Sequence, residues 1–347
     1  MKLRRKMLTI LAGAVLAAQA GAALAQGAPT EIKVLGFGGK LDSIFAQALG
    51  EFEATHKVKF RFIPGSPPDN AAKLVATAAR PEYDMSLFDN LYFNLASSKG
   101  VLAKVDDKIA TNYKDLDPRA VPPSRDGYTV GFYFTGLMYN TNEFSKRKWA
   151  APTSWQDIFN PQYCNLIGLG TVMGSFGLNT LVMLAGGNLD RIQQSMDQVA
   201  KLKNCVAVLE SNSAKLEERT QTGEHVIAVA VSTRVPTLMR QGYPVRFLIP
   251  KEGTVIGNGT MGVVKGGANE RIAHEAANWL QGPKAQKILM DEAFYMPANA
   301  KVPLSKDLVN YGFPTAEMLA KSVTIDGNKV VDMRRDWKRY EDRVMQR

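Results

Sequence analysis

Residues 32–63 read IKVLGFGGKLDSIFAQALGEFEATHKVKFRFI, and their pattern changes period twice. Residues 32–37 are β-prone and Gly38-Gly39 break the run. Leu41, Ile44, Phe45, Ala48, Leu49 and Phe52 then recur at helical spacing, placing one apolar face along three turns. From Val58 to Ile63 the alternation has period two again. Strand, helix, strand in 32 residues is the unit of an α/β fold. The same alternation continues along the chain. Helix 70–79 and strand 84–88 follow, and then a long β-prone run at 128–139. Ser154-Trp155-Gln156-Asp157 has capping-box spacing before a short helix that Pro161 stops. Further strands are predicted at 166–169, 206–209, 226–231, 245–249 and 261–264. The apolar run 226–231 suits a strand buried on both faces. Helices are expected at 178–185, around Ile192, Met196, Val199 and Leu202, and around Ile272, Ala276, Ala277 and Leu280. The basic tail 333–347 reads as a surface helix.

A chain of 347 residues, 45% hydrophobic and 22% charged, can fill two medium domains and excludes a disordered or disulfide-dense class. Its net charge of +10 is partly carried by a removable segment. Lys2, Arg4, Arg5 and Lys6 precede an apolar run at 7–18, and Ala23-Leu24-Ala25 stands before Gln26. This is the layout of a secretory signal peptide cut after Ala25. The apolar run is short for a membrane span. No later stretch is long and apolar enough to span a bilayer, so the mature product is expected to be exported and soluble. Basic residues are not clustered as nucleic-acid binding requires. In an oxidising compartment Cys164 and Cys205 are read as a disulfide. Such a bridge stabilises by roughly 4 kcal/mol in the chain-entropy model.

No G-x-S-x-G elbow, H-E-x-x-H pair or phosphate-binding P-loop occurs. His56, His225 and His274 are far apart and read as surface or core positions. No metal or cofactor is expected. The glycine-rich turn 36–39 lacks the dinucleotide spacing and reads as a structural turn. Small polar and aromatic residues do recur at the predicted carboxyl ends of strands, where open α/β sheets bind ligands. They are Phe37, Gly38 and Gly39; Asn90 and Tyr92; Thr171, Gly174 and Ser175; Ser232, Thr233 and Arg234; and Asn258.

Taken in order, several segments resemble the periplasmic solute-binding proteins of ABC importers, in the type II group around the spermidine/putrescine receptors. They are YDMSLF at 83–88 with NLY at 90–92, the strand 128–140, PTSWQD at 152–157 with FNP at 159–161, and TGE at 222–224. PKEG at 250–253, AANWL at 276–280 with Gly282-Pro283, and YMPAN at 295–299 complete the series. The resemblance implies two α/β lobes, a hinge and an interlobe ligand cleft. It places lobe one at 27–135 and 260–310, and lobe two at 136–259 and 311–347. The crossings then fall near 134–137 and 257–262. Tyr295 joins Phe37 and Tyr92 as an apolar wall. The implied partners are a small solute and the permease subunits at the inner membrane, for a monomer that binds no nucleic acid.

Polyamine receptors of that group hold a polycation with several carboxylates and aromatic walls. Where they carry Trp and Asp after the Glu-Gly turn, this chain has Val255-Ile256-Gly257-Asn258. After the first strand it has Phe37-Gly38-Gly39-Lys40, and after strand 226–231 it has Ser232-Thr233-Arg234. Buried ammonium groups without partners are costly. The expectation is therefore a small organic anion, a carboxylate or phosphonate. Its seat would be the Gly174-Ser175 helix start, with Arg234 as a bidentate clamp. A polyamine or other cationic amine is the alternative ligand. An enzyme built on the same two lobes is the remoter alternative.

Overall fold

The computed structural model describes residues 29–174 and 176–345. The expected signal peptide and Ser175 lie outside the described residues. In chain order the first elements are β1 (Thr30–Gly36), α1 (Gly39–His56), β2 (Val58–Pro64), α2 (Pro67–Ala76), β3 (Met85–Phe88) and α3 (Asn90–Ser98). Next come β4 (Tyr128–Asn140), α4 (Thr141–Arg147), β5 (Ile167–Gly170), α5 (Gly177–Leu184), α6 (Ile192–Ala200) and β6 (Val206–Glu210). They are followed by α7 (Ser213–Thr222), β7 (Ile227–Val231), α8 (Val235–Arg240), β8 (Val245–Leu248) and β9 (Ile256–Val263). The chain closes with α9 (Glu270–Leu280), α10 (Pro283–Ala293), α11 (Ala316–Ala320) and α12 (Gly327–Met345).

The 32–63 stretch forms the expected unit. α1 buries Ile44, Phe45, Ala48, Leu49 and Phe52 on one face. Lys57 ends it in the left-handed region, and β2 then pairs parallel to β1. Strands run in the order β2-β1-β3-β9-β4-β7-β5-β6, with β8 also on β4. β7 is buried along its whole length, as an apolar central strand must be. At Ser154 both capping-box hydrogen bonds are made.

β4 divides the molecule. Residues 128–134 pair with β9, while 135–140 pair with β7 and β8. Of the buried clusters, one that includes Phe134, Met138, Phe247 and Phe294 spans that change of partner, and two larger ones lie to either side of it. One gathers Ile32, Phe45, Leu49, Met261 and Leu280; the other gathers Trp155, Ile167, Val182, Ile227 and Trp337. The molecule is an α/β fold of two lobes. The return passage falls just before β9. Thr135 donates its N–H to the Val255 carbonyl, and the Thr254 hydroxyl donates to the Thr135 carbonyl at 2.5 Å. β9 begins at Ile256, five residues ahead of the strand expected at 261–264, and its Gly257 and Gly259 lie against the rings of Tyr133 and Tyr295.

Cys164 and Cys205 form the disulfide, joining the entry of β5 to that of β6 with Cα atoms 4.3 Å apart. The carboxyl-terminal helix differs from the surface helix expected. α12 starts at Gly327, buries Val330 and Trp337, and sets the buried Glu341 carboxylate to accept the Val172 N–H at 2.6 Å. Its basic residues hide one apolar stripe, which a reading of charge alone passes over. No helix among the described residues is long and apolar enough to cross a membrane.

Candidate functional site

Strand direction decides where loops meet. β1 and β3 run parallel to the first half of β4, toward its partner change. β7 is antiparallel to the second half of β4, so it runs toward the same point, and β5 and β6 are parallel to it. The carboxyl ends of strands from both lobes therefore converge on residues 134–135. A cleft between lobes is the geometric result.

Its floor is glycine under aromatic rings. Gly257 lies opposite Tyr133, and a Cβ there would overlap the Tyr133 ring. Gly131 and Gly259 both lie beneath Tyr295, where an added Cβ would stand 2.8 Å from its atoms. Tyr295 is buried and meets Phe45 edge-on. Phe176, from the loop before α5 in the other lobe, meets Tyr133 edge-on with ring centroids 6.2 Å apart.

Beside these rings, at the end of β3, stands Asp89. It caps α3 by accepting the Tyr92 N–H at 3.0 Å. Protein encloses the carboxyl, although it keeps solvent contact, and no basic side chain pairs with it among the described residues. Desolvation pushes its pKa up to about 6, against the lowering effect of the Tyr92 and Leu91 N–H groups. Burial also raises the Tyr133 and Tyr295 phenols, and the Asp89 charge adds to both shifts. The site is a carboxyl group among phenols, with its pKa held above the ordinary carboxylate range.

The lobe-two wall is arranged differently. Arg234 follows β7, and its Nε lies 2.7 and 2.8 Å from the two oxygens of Glu217 on α7. Glu217 is buried, and desolvation raises its pKa against the pull of Arg234. The Arg234 side chain remains 46% exposed on its other edge. Ser232 is fully buried, and its hydroxyl accepts the Phe134 N–H at 3.0 Å, tying β7 to the crossing. Thr233 is half-buried. Thr171 donates its N–H to the Glu210 carbonyl, and Gly174 donates to the Thr171 carbonyl. Gly174 lies against the Ser211 backbone, where a side chain would not fit. α5 starts at Gly177 behind a left-handed Phe176, so the helix start is three residues past Gly174.

The remaining expected residues lie at the ends of β1 and β3 and on β9. Phe37 and Gly38 each donate an N–H to an Asp42 carboxylate oxygen at 2.9 Å. The turn thus holds an anion of its own. Gly38 and Gly39 have φ of 83° and 63°, which glycine adopts freely. The Asn90 side-chain oxygen Oδ1 accepts the Asn258 backbone N–H, and the Asn258 side-chain amide donates to the Arg119 carbonyl. Tyr92 packs beside Phe88 and Phe93, and burial raises its phenol. Asp89, Tyr133, Phe176 and Glu217 are not among the expected residues. Asp89 was signalled by its place directly after an apolar strand, and Tyr133 by its place one residue before the crossing.

Residues 47–315 match the model of the bacterial extracellular solute-binding protein family. The chain is 24% identical over 267 residues to spermidine/putrescine-binding periplasmic protein 1 of Haemophilus influenzae, covering 72% of each. Its structure is similar to the spermidine/putrescine ABC transporter substrate-binding protein PotD of Streptococcus pneumoniae. That match has a TM-score of 0.72 and 16% identity, covering 90% of this chain and 99% of the other. It is also similar to the periplasmic binding protein AfuA of Actinobacillus pleuropneumoniae, whose structure holds fructose-6-phosphate. There the TM-score is 0.73 and the identity 16%, covering 91% and 98%. The two-lobe architecture and the family match agree: the chain belongs to the bacterial extracellular solute-binding proteins and has the type II two-lobe fold of ABC-importer receptors.

Proposed function

We propose that this receptor captures a small cationic amine between its lobes and delivers it to an ABC importer. The observation that carries the reading is Asp89, an enclosed carboxyl group with no cation of its own beside Tyr133 and Tyr295. A desolvated carboxylate is completed by an ammonium, and aromatic faces favour the same charge. The spermidine/putrescine-binding relative supports the class. The chain acts as a binding protein without turnover, exported after cleavage behind Ala25 and working as a monomer. Lobe one is assigned to 27–135 and 260–310, and lobe two to 136–259 and 311–347.

A small organic anion is the second reading, favoured by the exposed outer edge of Arg234. Two features weigh against it. Glu217 already holds the inner edge of Arg234, and Asp42 fills the N–H turn after β1. Titration calorimetry of the mature protein against primary amines and against carboxylates separates the readings, with a turnover assay on the same compounds. Binding of amines alone, lost in Asp89→Asn, is expected. Binding of carboxylates alone, lost in Arg234→Ala, would replace this reading with the anionic one. Small-angle scattering of the ligand-saturated protein should also show a smaller radius of gyration, because the solute bridges both lobes only when they close.

A further inference from the structure

α12 touches both halves of the molecule. Its 19 residues extend over about 28 Å. The chain reaches it past the return crossing, where Val323 donates its N–H to the Thr254 carbonyl at 2.9 Å and accepts the Ile256 N–H at 2.8 Å. From there α12 packs on α3, which follows β3, and on α6, which lies between β5 and β6. On the β3 side, Gly327 lies so close to Asn94 of α3 that an added Cβ would overlap its side chain. Leu91 of α3 packs against the core cluster that contains Val330 and Trp337. On the β5 side, the Tyr340 hydroxyl donates to Asp197 of α6 at 2.6 Å, and the buried Glu341 carboxylate accepts the Val172 N–H. Val172 belongs to the loop that presents Phe176 to Tyr133.

We infer that α12 is a strap that latches the two lobes together, and that Glu341 is the positioning residue that couples the strap to the cleft loop carrying Val172 and Phe176. Opening about residues 134–135 and 254–256 carries α3 away from β5 and β6. The Trp337 core, Tyr340 and Glu341 commit α12 to lobe two, so its contact with α3 exists only while the lobes are closed. A contact made in one state alone shifts the equilibrium toward that state. The strap therefore favours closure before any solute binds, whatever the charge of that solute, and the inference does not depend on the amine reading. Glu341 is 6% exposed and has no basic partner among the described residues. Burial without a cation is costly for a carboxylate. Here it secures one bond, to a loop residue four positions before Phe176.

Spin labels at Ala54→Cys on α1 and Glu218→Cys on α7, both exposed and in opposite lobes, report the lobe separation by double electron–electron resonance. The native cysteines are bonded to each other and take no label. The protein is refolded from denaturant with its disulfide intact, which strips any co-purified solute. The expected result is a closed population in the ligand-free protein. Gly327→Leu, which forces α12 off α3, should lower the closed-to-open ratio about threefold or more. Glu341→Ala should lower it as well, and Glu341→Gln, which keeps an acceptor for the Val172 N–H, should restore it. Melting curves confirm that each variant is folded. Should Gly327→Leu not fold, Leu91→Ala removes part of the same contact from the α3 side. Folded variants with unchanged distances, or a ligand-free protein wholly at the long distance, would overturn the strap. A shift in Gly327→Leu with none in Glu341→Ala would overturn the role of Glu341.

Discussion

At the end of β3, Asp89 stands enclosed without a cation, whereas at the end of β7, Arg234 has Glu217 against its guanidinium. Both are single charged residues that follow apolar strands and face the same crossing. Their consequences differ because of a partner 17 residues upstream in one case and the lack of one in the other. An ionised side chain at a strand end therefore says little about a ligand until its neutralisation is known. The wall with an unmet charge sets the sign of what is bound.

The comparison is most strongly tested by removing the unmet charge. Asp89→Asn keeps an acceptor for the Tyr92 N–H but discards the carboxylate, and should weaken amine binding by about 2–5 kcal/mol in calorimetry. Removing the acid that fills the β1 turn comes next. Asp42→Ala leaves the Phe37 and Gly38 N–H groups without their acceptor and should lower stability by about 1–3 kcal/mol in denaturant melts. Amine affinity should change far less than in Asp89→Asn.

A smaller effect is expected from pH. Asp89 must be ionised to pair with an ammonium, and its pKa in the free protein is raised to about 6. Below that value each unit of acid should cost up to about tenfold in affinity, and above pH 7 affinity should level off. The smallest effect is expected from the paired wall. Arg234→Ala leaves Glu217 buried and unpaired, so its already raised pKa rises further. A carboxyl whose folded pKa is raised contributes stability below its unfolded pKa and loses it as pH increases. The variant should match the unaltered protein near pH 4 and fall about 1 kcal/mol short at pH 7, modest because Arg234 is half in solvent. Amine binding should be unchanged or tighter. A large loss of amine affinity in Arg234→Ala would break the contrast between the walls.

Much of the fold was legible in the sequence because periodicity is local. The apolar face of α1, the two-sided burial of β7 and the capping box at Ser154 need only neighbouring residues to be read. What was not legible depended on contacts between distant segments. Ser232 follows a strand as a ligand residue would, yet its hydroxyl serves the Phe134 backbone, and Asn90 serves Asn258. The turn at 36–39 looked like an anion seat or a plain turn, and only the fold shows Asp42 inside it. Arg234 supported an anion while its partner on α7 was unseen. The basic composition of α12 likewise masked Trp337, one apolar side chain that places the helix in the second core.

The central claim is that the ligand's charge is met at Asp89, and proton exchange on binding tests it most directly. Butan-1-amine is titrated into the protein by calorimetry at pH 6 in two buffers of different ionisation enthalpy. Asp89 is then about half protonated in the free protein and must be ionised in the complex, so the account predicts release of about half a proton per amine bound. Asp89→Asn should release none. Binding with no proton release from the unaltered protein, or release that persists in Asp89→Asn, would contradict it.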